Sequence, residues 1–243
     1  MGIGLGITCF SIASSGFTSD RFSDQLSVDW VPIPAGSCRI GSSSAVANPP
    51  RIVKFAAFWL GRCEVNVAQY CSFLTDSGFS FRKDHPQLRR VGVSWRPKWG
   101  QKSRPVGHVD VDDALAYCRW LSVRTGRKVR LPNPEEWEYA ARAGRSNVRY
   151  PWGWGSPQSR AVFAVNASRR VGSFAANEFA LHDMAGNVFE WCVLGDDSSQ
   201  SDFCEVRGGS WADRDPKVLQ VYYPVRLKRN YHDADVRFRV LIE

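Results

Sequence analysis

Seven cysteines and four histidines are the side chains of this 243-residue chain best suited to nucleophilic or metal chemistry. The thiols stand at Cys9, Cys38, Cys63, Cys71, Cys118, Cys192 and Cys204. An odd number cannot all pair within one chain. No C-x-x-C occurs, and His85, His108, His182 and His232 are far apart in the sequence. Zinc centres gather closely spaced Cys and His ligands, so an ordinary zinc site is not indicated. Most of the thiols are expected to serve as small apolar core groups. His232 alone is weak evidence for a ligand, since a lone histidine is more often structural or superficial.

The elements that would position such groups are legible in the first half. Val31 to Ile40 reads as strand, turn and strand, and Arg51 to Glu64 is strand-like, with Phe55, Phe58 and Trp59 supplying bulk. Asn66 is suited to cap a helix running to about Asp76, in which Val67, Tyr70, Cys71 and Leu74 share one face. Residues 79–105 read as a polar excursion. Asp110 caps a second helix that Gly126 ends, and its inward stripe of Val111, Ala114, Leu115, Cys118 and Leu121 makes Cys118 a core residue. Asn133, Pro134 and Glu136 form the start signal of a third helix, a cap, an N1 proline and a capping-box acid. Beyond Gly144 no helix is expected, only turns, aromatics and short strands. Helices in one half and irregular structure in the other predict a single α+β domain, rich in loops, over residues 29–243.

Composition narrows the function classes. Apolar residues make up 44% and aromatics 13%, which excludes a disordered chain. No apolar run is long enough to span a bilayer, for which about 18 residues are needed. The net charge of +8 favours anionic partners. The arginines are scattered along the sequence rather than gathered in one block, so nucleic acid is not the expected partner. Residues 1–28 read as a tail or an export or anchor segment. They leave the compartment undecided, because residues 1–19 are uncharged and lack a basic lead.

Several phrases then recur together: Val31-Pro32-Ile33-Pro34-Ala35-Gly36, Glu64-Val65-Asn66, Asp112-Asp113-Ala114 with Tyr117-Cys118 and Trp120-Leu121-Ser122, and Arg130-Leu131-Pro132 before Glu135-Glu136-Trp137-Glu138-Tyr139. They continue with Pro151-Trp152-Gly153, Asp183-Met184, Gly186-Asn187-Val188 before Glu190-Trp191, Arg207-Gly208-Gly209-Ser210-Trp211 and Phe238-Arg239-Val240. From about residue 29 to 243 the chain resembles the formylglycine-generating enzyme (sulfatase-modifying factor) family. The resemblance implies a variant of the C-type-lectin fold.

It also implies where chemistry would sit. In the formylglycine-generating members two cysteines after the Gly-Gly-Ser-aromatic phrase hold copper(I), a soft ion suited to thiolates. Here those positions fall on Asp213 and Val218, and no cysteine follows Cys204. No copper is therefore expected, nor formylglycine generation. The ergothioneine-synthesis relatives place iron on a helical domain that this chain lacks, whereas a pyoverdine-maturation oxidase has the domain without the copper cysteines. The expected role is a ligand- or protein-binding module, with an oxidase or maturation enzyme acting on a peptide or small molecule as the alternative. A structural calcium is implied at the Asp183 side chain, the Gly186 and Val188 carbonyls and the Glu190 side chain, all oxygen donors suited to a hard cation. Cys192 and Cys204 are left either as buried thiols or as a disulfide, if their strands pair and the chain is exported.

The segment after Trp211 lines the family's ligand groove. In this chain it offers Trp211, Asp213, Arg214, Tyr222, Tyr223, Arg226, Tyr231 and His232 as contacts for a peptide, a protein or a small molecule. Tyrosine supplies area at low entropic cost and arginine supplies forked donors. The run Asn230-Tyr231-His232-Asp233 also matches the residue taste of retroelement-diversified binding proteins on this fold, which is kept as a third reading.

Overall fold

A computed structural model describes residues 28–193 and 201–243. The expected N-terminal segment, with Cys9, lies outside the described residues apart from Val28. In chain order the first half comprises β1 (Trp30–Ile33), β2 (Gly36–Ile40), β3 (Arg51–Phe55), β4 (Phe58–Gly61), α1 (Val67–Ser77), β5 (Leu88–Val91), β6 (Ser94–Pro97) and α2 (Val111–Thr125). The rest comprises β7 (Val129–Arg130), α3 (Pro134–Arg142), β8 (Phe189–Cys192), β9 (Phe203–Arg207), a 3₁₀ turn (Pro216–Leu219), β10 (Val225–Lys228), β11 (Val236–Arg237) and β12 (Leu241–Ile242).

Among the described residues, all three α-helices begin with a closed capping box. Asn66 Oδ1 accepts from Gln69 N at 3.0 Å, Asp110 Oδ1 from Asp113 N at 2.9 Å and Asn133 Oδ1 from Glu136 N at 2.8 Å. Each N3 side chain returns a bond to the cap backbone, so two of the free amide groups of each first turn are satisfied. Gly78 and Gly126 end α1 and α2 in the left-handed region. At the end of α3 the cap is Ala143, at φ 51°, one residue before the glycine.

Among the described residues two four-stranded sheets order as β1-β4-β12-β7 and β10-β9-β8-β11, and β2-β3 and β5-β6 form two-stranded sheets. The last strand thus lies between β4 and β7 and closes the two halves of the chain on each other. Segment 79–105, read from sequence as a polar excursion, contains the β5–β6 hairpin. Its Leu88 and Trp95 are buried, and Trp95 N donates to Thr75 Oγ1 of α1 at 2.8 Å. The alternation there is short and masked by arginines, which is why the sequence hid it.

Among the described residues two large apolar clusters, and a small one around Tyr150 and Leu219, fill the interior. Tyr70, Phe73, Tyr117 and Phe238 centre the one built on α1 and α2. Trp137 and Tyr139 of α3 centre the other, with Phe55 stacked on Tyr139 at 4.2 Å. Cys38, Cys71, Cys118, Cys192 and Cys204 are buried, and only Cys63 among the described thiols is partly exposed. β8 and β9 pair antiparallel with Cys192 opposite Glu205. Neighbouring residues of a strand face opposite sides of the sheet, so Cys204 points away from Cys192. No disulfide joins the two thiols, and each enters a different core cluster. Among the described residues no helix is long and apolar enough to cross a membrane.

Candidate functional site

The segment between β9 and β11 builds one wall of an open groove of about 680 Å³, lined by Arg226 and Lys228 of β10, Tyr231, His232, Asp233 and, from the opposite loop, His108. Alternation along β10 puts Arg226 and Lys228 on its exposed side, with Val225 and Leu227 turned toward the core. The loop after β10 is anchored from below. Ala234 O accepts from Trp211 Nε1 at 3.4 Å and from Arg237 Nη2 at 2.9 Å. Arg237 also donates to Gln87 Oε1 and to Pro105 O, and burial without a paired carboxylate pulls its pKa down to about 9. His108 takes a left-handed backbone at φ 53°, and its N donates to Asp233 O at 3.3 Å. Burial lowers the pKa of its imidazole, as does the positive charge of Arg237.

Tyr231 Oη lies 3.4 Å from Asp235 Oδ1. Burial, followed by the charges of Asp235 and Asp233, raises its hydroxyl to about 12. It is therefore a neutral hydrogen-bonding group at physiological pH. Burial also raises the pKa of Asp235. The groove is amphipathic: cations along β10, a carboxylate and tyrosine at the loop, and two imidazoles between them.

Three of the residues expected from sequence, Arg226, Tyr231 and His232, meet in this groove. Trp211 is half-buried and supports it through Ala234. Arg214 is exposed and Tyr223 half-buried, and neither lines the groove. Tyr222 departs from the expectation. It is buried in the α3 cluster beneath the Arg142 guanidinium, 5.7 Å above its ring, because the 3₁₀ turn folds the chain inward there. Asp213 uses one oxygen to accept from Ser210 N and Oγ at 2.7 and 2.8 Å, closing the turn after the Gly-Gly-Ser phrase. Val218, the other position aligned with a copper thiolate, packs against the core. Sequence reasoning missed His108 and Lys228; the only sequence signal for them was their charge and ring chemistry.

Behind this turn lies a layer of buried charge. Glu190 accepts from Arg239 Nε at 2.5 Å and Arg239 Nη2 at 2.6 Å, and from Trp137 Nε1 at 2.7 Å. Arg239 is held charged by this pair and donates its remaining bonds to the carbonyls of Gly61, Arg62 and His182. Asp183 Oδ2 accepts from Gly172 N at 2.6 Å, and Gly186 O accepts from Val188 N at 2.8 Å. Of the donors expected for calcium, Asp183, Gly186, Val188 and Glu190, the two carboxylates thus already accept hydrogen bonds within the protein. The Glu190 carboxylate already has a guanidinium as its counter-charge. Among the described residues no three His, Cys, Asp or Glu side chains form a metal-holding group. Glu64 sits in the same layer, accepting from Asn187 Nδ2 at 2.8 Å through one oxygen while the other has no partner. Burial and the nearby Asp183 and Glu190 charges raise its pKa well above the usual range, which favours the protonated form.

Trp137, Glu190 and Arg239 come from three of the recurring phrases and meet at one point. Residues 19–243 match the sulfatase-modifying factor enzyme 1-like domain. Over 228 residues the chain is 28% identical to the formylglycine-generating enzyme of Thermomonospora curvata, covering 71% of this chain and 73% of that protein. Over 123 residues it is 36% identical to the inactive C-alpha-formylglycine-generating enzyme 2 of Bos taurus, covering 45% of this chain and 39% of that protein. Among solved structures, PvdO from Pseudomonas aeruginosa matches with a TM-score of 0.73 at 25% identity, over 90% of this chain and 95% of that one. The single α+β domain has the expected C-type-lectin-like architecture, and the chain belongs to the formylglycine-generating enzyme (sulfatase-modifying factor) family.

Proposed function

We propose that this chain is a binding member of its family, taking a peptide, a protein segment or a small molecule in the groove between His108 and β10, and that it does not generate formylglycine. The observation that carries this reading is the groove itself. Arg226, Tyr231 and His232 converge there with His108 around about 680 Å³, a volume suited to a short peptide or a small ligand. At the positions aligned with the copper thiolates stand a turn-closing carboxylate and a core valine, neither of them a soft ligand. The partial likeness to an inactive relative supports the same reading.

The test is incubation with copper(I), oxygen and a peptide containing Cys-x-Pro-x-Arg, followed by mass spectrometry. No aldehyde is expected, and turnover would overthrow the reading. A second reading, an oxidase or maturation enzyme, draws on the likeness to PvdO across nearly the whole domain. Elemental analysis of the purified protein separates the two: a stoichiometric redox metal would favour the enzyme.

A further inference from the structure

A second concave site lies away from the groove and shares no residue with it. It is a cleft of about 630 Å³ walled by Lys102, Ser103 and Arg104 on one side and by Arg169, Arg170 and Ser173 on the other. Four cations and two hydroxyls face it, and no carboxylate lines it. Segment 89–104, which leads into the first wall, carries Arg89, Arg90, Arg96, Lys98, Lys102 and Arg104 and not one acidic residue. Arg89 stands directly opposite Arg96 in the β5–β6 ladder, an arrangement that disfavours folding through like-charge repulsion. None of Lys102, Arg104, Arg169 and Arg170 forms an ion pair among the described residues.

The two walls are fixed to each other and to the core. Val171 N donates to Ser103 O at 2.9 Å, and Arg104 donates to Ser168 O. Gly172 N donates to Asp183 Oδ2 at 2.6 Å, and Arg169 N to Asn187 Oδ1 at 2.8 Å. Asp183 and Asn187 therefore hold the 168–173 loop in place, and the site is organised before any ligand arrives. Preorganised donors bind more tightly because little ordering entropy remains to be lost. Asp183 is the nearest carboxylate to this loop that the hydrogen bonds reveal. It lies beneath the loop, buried, and does not line the cleft.

A walled concentration of guanidinium groups, one ammonium and hydroxyl donors, lacking its own counter-charge, matches an oxyanion carrying two or more negative charges. Arginine forks complement phosphate oxygens, and the Ser103 hydroxyl adds a donor, while Ser173 Oγ donates to Arg170 O and fixes that wall. We propose that the Lys102–Arg104 and Arg169–Ser173 walls form a binding site for a phosphate-class ligand, either inorganic or pyrophosphate or the phosphate monoester of a larger molecule.

The test is calorimetric titration of the full chain with sodium pyrophosphate at low and at physiological salt. Binding that weakens as salt rises is expected. Arg169→Ser/Arg170→Ser and, separately, Lys102→Ser should each weaken it, the double variant at least tenfold. Lys54→Ser/Arg119→Ser, on β3 and α2, removes the same charge elsewhere and should leave the affinity within twofold. Both arginines of the first pair are exposed, so the melting temperature of that variant should match the parent. Vesicles with and without phosphatidic acid identify the source: vesicle binding lost in Arg169→Ser/Arg170→Ser assigns the phosphate to a lipid headgroup, and pyrophosphate binding alone assigns it to a soluble ligand. No binding in either arm, or an equal loss in the two double variants, would overturn the site.

Discussion

Glu190 and Arg239 form a two-point carboxylate–guanidinium pair, at 2.5 and 2.6 Å, with both side chains out of contact with solvent. Trp137 closes the pair from α3. Strand β8, the C-terminal segment and helix α3 are thereby fixed at one point. A buried pair of this kind adds little net stability, but removing one partner strands the other in a low-dielectric interior.

Arg239→Met should therefore destabilise the fold by about 3–5 kcal/mol. Glu190→Gln/Arg239→Met should be more stable than Arg239→Met alone, since no charge is then left uncompensated. Urea unfolding followed by tryptophan fluorescence measures both; equal losses in the two variants would show that shape rather than charge is what the pair contributes.

Because Arg239 supplies the counter-charge at Glu190, chelation should not matter. The melting temperature in EDTA is expected to equal that in millimolar calcium. A calcium-dependent rise would mean that Glu190 leaves Arg239 for the ion, and would assign calcium to the Asp183–Glu190 loop.

His85 predicts a pH dependence. Its Nδ1 accepts from Gln87 N at 3.2 Å, so Nε2 carries the proton and donates to Gly107 O at 2.8 Å. Burial lowers its pKa from 6.5 to about 4. The unfolded chain binds this proton near pH 6.5 and the folded chain only near pH 4, so the contribution of His85 is whole above pH 6.5 and falls across that window. Asp113 acts in the opposite sense, since burial raises its pKa to about 6 and the folded state takes up its proton first. The two effects separate in a difference measurement: stability of the parent minus that of His85→Gln should decline from pH 6.5 to pH 4. A flat difference would contradict a buried neutral imidazole.

Thiol chemistry should be silent in the native state. Cys63 is the one partly exposed thiol among the described residues, and burial of its sulfur pushes its pKa to about 12. The thiolate is the reactive form, so it is scarce at neutral pH. In a Cys9→Ser background, a disulfide reagent should titrate fewer than one thiol natively and all six after denaturation. Four thiols after denaturation without reductant would reveal a disulfide that the opposite facings of Cys192 and Cys204 forbid.

The helices and their ends were legible in the sequence because each is set by residues within one turn: Asn66, Asp110 and Asn133 with their N3 partners, then Gly78 and Gly126. The resemblance pointed to the segment after Trp211, of which Arg226, Tyr231 and His232 line an open concavity with His108. What local reading left open involved partners distant along the chain. Whether Glu190 faces a metal or Arg239 depends on residues 49 positions apart. Tyr222 and Tyr231 look alike as letters, yet the 3₁₀ turn sends one into the core and leaves the other at the surface. Scattered arginines gave no sign of a charged face; only the bonds that clip residue 103 to residue 171 bring Lys102, Arg104, Arg169 and Arg170 around one cleft. Short-range hydrogen bonding and periodicity are written locally, whereas charge pairing and concavity arise only when distant segments are packed together.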